Sequence, residues 1–139
     1  MTDLLTLDIL ARLFFAAIFG GAIGLERERI QRPAGLRTNM LVALGAALFT
    51  ILSTDAFGAA ADPSRVAANI IVGIGFLGAG TVIQSRESVT GLTTAAGLWT
   101  VAAIGMAAGA GYYLIAGATT LIAIAVLMGL RGVEKHLNR

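Results

Sequence analysis

The chain has 139 residues, 57% of them hydrophobic and 13% charged, with a net charge of +2 and a mean hydropathy of +0.84. An ordinary soluble domain is about 25% charged, so this is the composition of a small integral membrane protein. Its ten cations are too few for a nucleic-acid footprint, and without cysteine there is no disulfide, thiolate metal site or cysteine nucleophile.

A hydrocarbon core about 30 Å thick takes roughly 20 mostly apolar residues as a helix. Five stretches qualify, 7–25, 38–54, 64–83, 92–109 and 112–130. They predict an all-α polytopic transmembrane bundle of about five tightly packed helices in one domain, 1–139. The first span has acidic flanks, Asp3 and Asp8, and ends in "GLERER" rather than a cleavage site, so it reads as a retained span and not a signal peptide. Ala16, Gly20 and Gly24 run along it as a small-residue stripe, which permits close approach of a neighbouring helix.

The segment "LERERIQRPAGLRTN" (25–39) concentrates four arginines and two glutamates between apolar spans. Pro33 stops the first helix, Ala34 and Gly35 make the turn, and Thr38 or Asn39 is placed to cap the second span. Glu26 and Glu28 end one helix and Arg37 starts the next, each at the unfavourable end of its own helix dipole. The economical reading is that they face each other across the turn, leaving Arg27, Arg29 and Arg32 for lipid phosphates. The other reading is a site in which a carboxylate binds a cation or Arg37 binds a partner's acid.

The third span opens with Asp62 as N-cap and Pro63 at the first helical position, with Arg65 within pairing distance of Asp62. Within it, Gly73, Gly75 and Gly78 form a GxGxxG string, here in an apolar run with no preceding strand. It reads as helix packing rather than a dinucleotide fingerprint. Asn69, Gly73, Phe76, Gly80 and Gln84 share one helical face, and small residues on several faces put this span at the centre of the bundle. Gly97, Gly105 and Ala108 form a further stripe on the fourth span.

Polar groups in hydrocarbon must find partners and often mark function. Those at span interiors or edges are Asn39, Asn69, Gln84, Thr93, Thr94, Thr100 and the Trp99 N–H. Asn69 reads as a link between helices or a functional group, and Thr93 and Thr94 as caps. No hydrolytic or redox constellation can be assembled. The single histidine, His136, reads as a solvated tail residue, and no cofactor is evident. Mg²⁺ is often held by one or two carboxylates and its own waters, which leaves Glu26 and Asp62 as weak candidates.

Cations in short loops set membrane orientation. Arg27, Arg29, Arg32, Arg37, Arg86, Arg131, Lys135 and Arg139 fall on one side, and Arg12 and Arg65 on the other. An outside N-terminus and a cytoplasmic C-terminus satisfy this bias, and "AFGAAA" and its flanking aspartates then face outward.

"GGAIGLERERIQRPAGLRTNMLVALGAALF" (20–49), "DPSRVAANIIVGIGFLGAGTVI" (62–83) and "VTGLTTAAGLWTVAAIGMAAGAG" (89–111) together resemble the MgtC/SapB family of bacterial membrane proteins. The resemblance implies five spans in the bacterial inner membrane, a link to magnesium limitation and, in pathogens, survival inside macrophages. The matching positions are Glu26, Arg37, Thr38 and Asn39, then Asp62, Pro63, Arg65 and Asn69, then Gly91, Leu92, Thr93, Thr94 and Trp99. Members are discussed as magnesium transporters and, more often, as regulators, with the F-type ATP synthase as an implied partner. Longer members carry a soluble domain after the last span, whereas this sequence stops at "RGVEKHLNR"; the expectation is a short member or a truncated form. Two functions remain open. One is a membrane partner that modulates other proteins, and the other is an oligomeric cation carrier or channel. Every Asp and Glu maps to a span end or a loop, which favours the modulator.

Overall fold

The computed structural model describes residues 2–57 and 62–137, with side chains from Leu5 to Val133. Asp3, most of the "AFGAAA" loop, Lys135, His136 and Arg139, with the expectations attached to them, lie outside the described residues or side chains.

Among the described residues, five helices run in chain order: α1 (Thr2–Arg29), α2 (Leu36–Asp55), α3 (Pro63–Ala79), α4 (Leu92–Gly109) and α5 (Tyr113–Leu137). A short antiparallel hairpin, β1 (Ile83–Gln84) and β2 (Val89–Thr90), joins α3 to α4. Of these described helices, four are long and apolar enough to cross a membrane, and α3 is shorter at 17 residues. At 1.5 Å per residue α3 is about 25 Å long. The third element therefore stops at Ala79 rather than at 83, and Gln84 belongs to the hairpin rather than to the helical face of Asn69.

Cross-links fix the helix directions. Ser53 Oγ donates to the Pro63 carbonyl at 3.2 Å, joining the end of α2 to the start of α3. Gly78 packs on Ala95, which sets the end of α3 against the start of α4. Arg12, held by Asp8, donates to the Gly109 carbonyl at 3.1 Å and ties the first half of α1 to the end of α4. Successive helices thus alternate in direction, with the 30–35 turn and the hairpin at one end.

α2, not α3, is the centre. Its alanines meet glycines from both sides. A Cβ on Gly20 of α1 would lie 2.6 Å from the Asn39 carbonyl oxygen, and one on Gly24 would lie 2.7 Å from the Leu36 Cα. From the other side, a Cβ on Gly105 of α4 would run into the Ala43 backbone, and one on Gly109 would reach 2.5 Å from the Ala47 oxygen. Ala16, Ile23, Ala43, Ala47, Val101, Ile104, Ala108 and Ala116 form the main core. α3 contributes Ile70 and Ile74 against Ala46 and Ala102. The central placement of α3 read from its glycines is thus corrected: a Cβ on Gly73 or Gly75 would meet nothing within 4 Å, and the same holds for Gly97 of α4. Gly80 only closes the end of α3. Outward-facing apolar side chains such as Phe76, Leu114 and Leu121 surround the bundle, as a lipid-solvated surface requires.

The start of α3 is capped by Asp62. Its Oδ1 accepts from the Ser64 backbone N–H at 2.9 Å and from the Ser64 hydroxyl at 2.7 Å, with Pro63 at the first position. The hydroxyl bond, then the backbone bond, hold its carboxyl below the ordinary value, with the Arg65 charge adding to this. A depressed carboxyl stabilises the fold above its unfolded pKa, and that contribution disappears as pH falls through the lower folded value. Asp62→Ala should therefore lower the hydrogen-exchange protection of the first turn of α3 at neutral pH, and acidification should lower the protection of the wild type relative to the intrinsic rate at each pH. Unchanged exchange at Ser64 to Val66 in the variant would show that the cap is not needed.

Candidate functional site

The buried charged residues among those described, Glu26 and Arg27, lie at the turn-and-hairpin end. α1 finishes in a Schellman motif, with the Arg32 N–H on the Arg27 carbonyl and the Gln31 N–H on the Glu28 carbonyl, both at 3.0 Å, and Gln31 left-handed at φ 53°. Glu28 then reaches across the turn, and its Oε2 accepts from the Leu36 N–H at 2.7 Å. An anion at the start of α2 is favoured by that helix's dipole, so Glu28 suits the neighbouring helix better than its own. Asn39, 2% exposed, donates to the Ala34 and Gly35 carbonyls and fixes the turn from beneath. The N-cap of α2 is Gly35, without a side-chain cap, so neither Thr38 nor Asn39 fills that place.

Glu26 and Arg27 are both buried despite their charge. Arg131 of α5 donates to Glu26 Oε1 at 2.6 Å, the two side chains being 33% and 8% exposed. Glu26 Oε2 is buried and has no hydrogen-bond partner among the described residues. Arg27 donates to the Thr94 hydroxyl of α4 at 2.6 Å. These contacts correct two expectations. Arg37 is exposed and makes no ion pair among the described residues, because α2 turns it outward while Arg131 occupies the carboxylate. Arg27 is committed to the interior rather than free on the surface. Thr94 is accordingly an acceptor for Arg27 and not a cap, since Gly91 occupies the N-cap position of α4. Thr93 is exposed beside it.

A cavity of about 630 Å³ opens between the ends of α1, α4 and α5 and the hairpin, lined by Arg27, Arg32, Arg131, Thr81, Thr93 and Thr94, among others. The hairpin wall depends on Gly91. Its φ of +90° belongs to the left-handed region, and a Cβ there would collide with the Thr81 carbonyl. Gly91→Ala should displace the hairpin and lower stability by about 2 kcal/mol or more. Denaturation at or near the wild-type midpoint would mean that the hairpin is not held this closely.

The remaining sequence-level candidates lie elsewhere. Asn69 is exposed and donates to the Arg65 carbonyl of its own helix, so it links no two helices. It borders an apolar groove of about 690 Å³ between α2 and α3, with Thr38 and Gly73. Trp99 is 55% exposed. Asp62 and Arg65 lie at the opposite end of the bundle from Glu26, and their side chains form no ion pair. Among the described residues, no three His, Cys, Asp or Glu side chains group as metal ligands. Arg27 and Arg131 escaped the sequence reading because their partners are 67 and 105 residues away. The available signal was that the charged ends of the first and last spans fall on the same side.

Comparison with known proteins gives a family. The MgtC family model matches residues 13–136. "Protein MgtC" of Brucella abortus is 50% identical over 123 residues, covering 88% of this chain and 51% of the relative. "Protein MgtC" of Salmonella typhimurium is 42% identical over 136 residues, covering 98% and 58%. A protein of Escherichia coli K12 named "Putative magnesium transporter YhiD" is 45% identical over 116 residues, covering 78% and 54%. The chain thus spans about half the length of the curated relatives it matches. No solved structure matches it.

Proposed function

The chain belongs to the MgtC family of membrane proteins, and from that premise we propose that it modulates other membrane proteins during magnesium limitation rather than carrying Mg²⁺ itself. The observation that carries this reading is the state of Glu26. It is the buried carboxylate among the described residues, and Arg131 already neutralises it. A path for a divalent cation needs carboxylate or carbonyl ligands facing it, whereas the cavity beside Glu26 is lined by three arginines that repel cations. The proposal includes an inner-membrane location with the arginine-rich end in the cytoplasm, following the cation bias of the loops. It also includes a homo-oligomer, and an F-type ATP synthase as the first partner to examine. The open groove between α2 and α3 is a surface on which a neighbouring helix can pack.

The second reading, a cation carrier, draws on the name of the E. coli relative. The two separate in a strain lacking the gene and grown with little Mg²⁺. Modulation predicts that the restored gene recovers growth while total cell magnesium stays the same. Recovery that tracks a rise in magnesium uptake supports the carrier instead.

A further inference from the structure

Among the described residues, the cavity at the charged end is lined by cationic and not by anionic side chains. Three arginines line it, Arg27, Arg32 and Arg131, and Glu26 is the carboxylate that answers them, through Arg131. Arg27 is the sharpest case. It is 6% exposed, and its hydrogen-bond partner is the neutral hydroxyl of Thr94. A buried guanidinium whose direct partner is neutral is costly, and the one carboxylate close enough to act on it among the described residues, Glu26, is already bonded to Arg131. α4 also begins at this wall. Its first turn has neither a side-chain cap nor an acidic residue, so its free N–H groups and positive dipole end add to the same field. Charge, burial and helix direction all leave a place for an anion.

We infer that this cavity binds a phosphate-bearing anion, either the headgroup of an anionic phospholipid or a free phosphate. Guanidinium forks match phosphate oxygens in pairs, and the Thr93 and Thr94 hydroxyls stand on the same wall. The lining also includes the apolar Val126, Leu127 and Leu130 of α5, against which acyl chains of a lipid can lie. A bound anion would neutralise Arg27, and it would also fasten the ends of α1, α4 and α5 to one another. This assignment goes beyond the modulator reading and does not rest on it.

The test uses the full chain, delipidated in a neutral detergent. Binding is measured by calorimetry and thermal shift with inorganic phosphate, with short-chain phosphatidylglycerol, and with phosphatidylcholine of the same chain length. Saturable binding of phosphate assigns a soluble source. Binding of phosphatidylglycerol but of neither other probe assigns a headgroup, and binding of both anions supports the shared site. Arg32→Gln, an exposed position outside the core, should keep the fold and weaken affinity roughly tenfold. Arg29→Gln, exposed and outside the cavity lining, should bind as wild type. No saturable binding of either anion, or binding that Arg32→Gln leaves unchanged, overturns the assignment.

Discussion

Gly105→Leu is expected to take the bundle apart. The position faces the Ala43 backbone so closely that even a methyl group collides with main-chain atoms, and main chain cannot move aside as a flexible side chain does. A leucine must push α4 away from α2, opening the layer formed by Ala43, Val101 and Ile104. Overpacking of a tight core costs about 1–3 kcal/mol, and with backbone as the obstacle the loss should sit at or above the top of that range. Gly73→Leu is the control, because open space surrounds that glycine. In detergent, the Gly105 variant should aggregate or melt far below the wild type while the Gly73 variant behaves normally. Equal behaviour of the two would refute the central position of α2.

The second large effect belongs to Arg131. Arg131→Gln leaves Glu26 buried at 8% side-chain exposure, with its Oε2 without a partner among the described residues. Breaking a buried pair from one side costs about 3–5 kcal/mol. The loss here should lie near the lower end, since Arg131 is a third exposed. Glu26→Gln should be milder, about 1 kcal/mol, because an amide oxygen can still accept from Arg131 and the arginine can still reach water. The double variant should recover much of the loss of Arg131→Gln. A denaturation cycle in which the two single losses are equal and additive would mean that the pair contributes nothing.

Both predictions bear on what a sequence of this kind discloses. Five apolar stretches are visible from length and hydropathy alone, because lipid imposes a minimum run of apolar residues; all five are helices, the third shorter than its apolar run. Asp62 and Pro63 mark the start of α3 because a cap is a local structure of three residues. Glycine content, by contrast, says that close approach is permitted and not that it occurs. Gly20, Gly24 and Gly105 meet α2, whereas Gly73 and Gly75 meet nothing. The approached helix advertises itself weakly, through alanines at 43, 46 and 47 that any apolar helix might contain. The candidate site shows the same division. That Glu28 looks across the turn follows from dipole reasoning over eight residues, although it meets the Leu36 N–H rather than Arg37. The choice of Arg131 over Arg37 as the partner of Glu26 does not, because it depends on how α5 returns to α1. The hairpin was hidden for another reason: its strands are two residues each, too short for any alternation to register.

The most direct measurement is Mg²⁺ flux into proteoliposomes that contain the folded, inserted protein, beside a Glu26→Gln variant and empty liposomes. Modulation without transport predicts that wild type, variant and empty liposomes are indistinguishable. Saturable flux through the wild type that the variant loses would put Glu26 on a cation path and contradict the account.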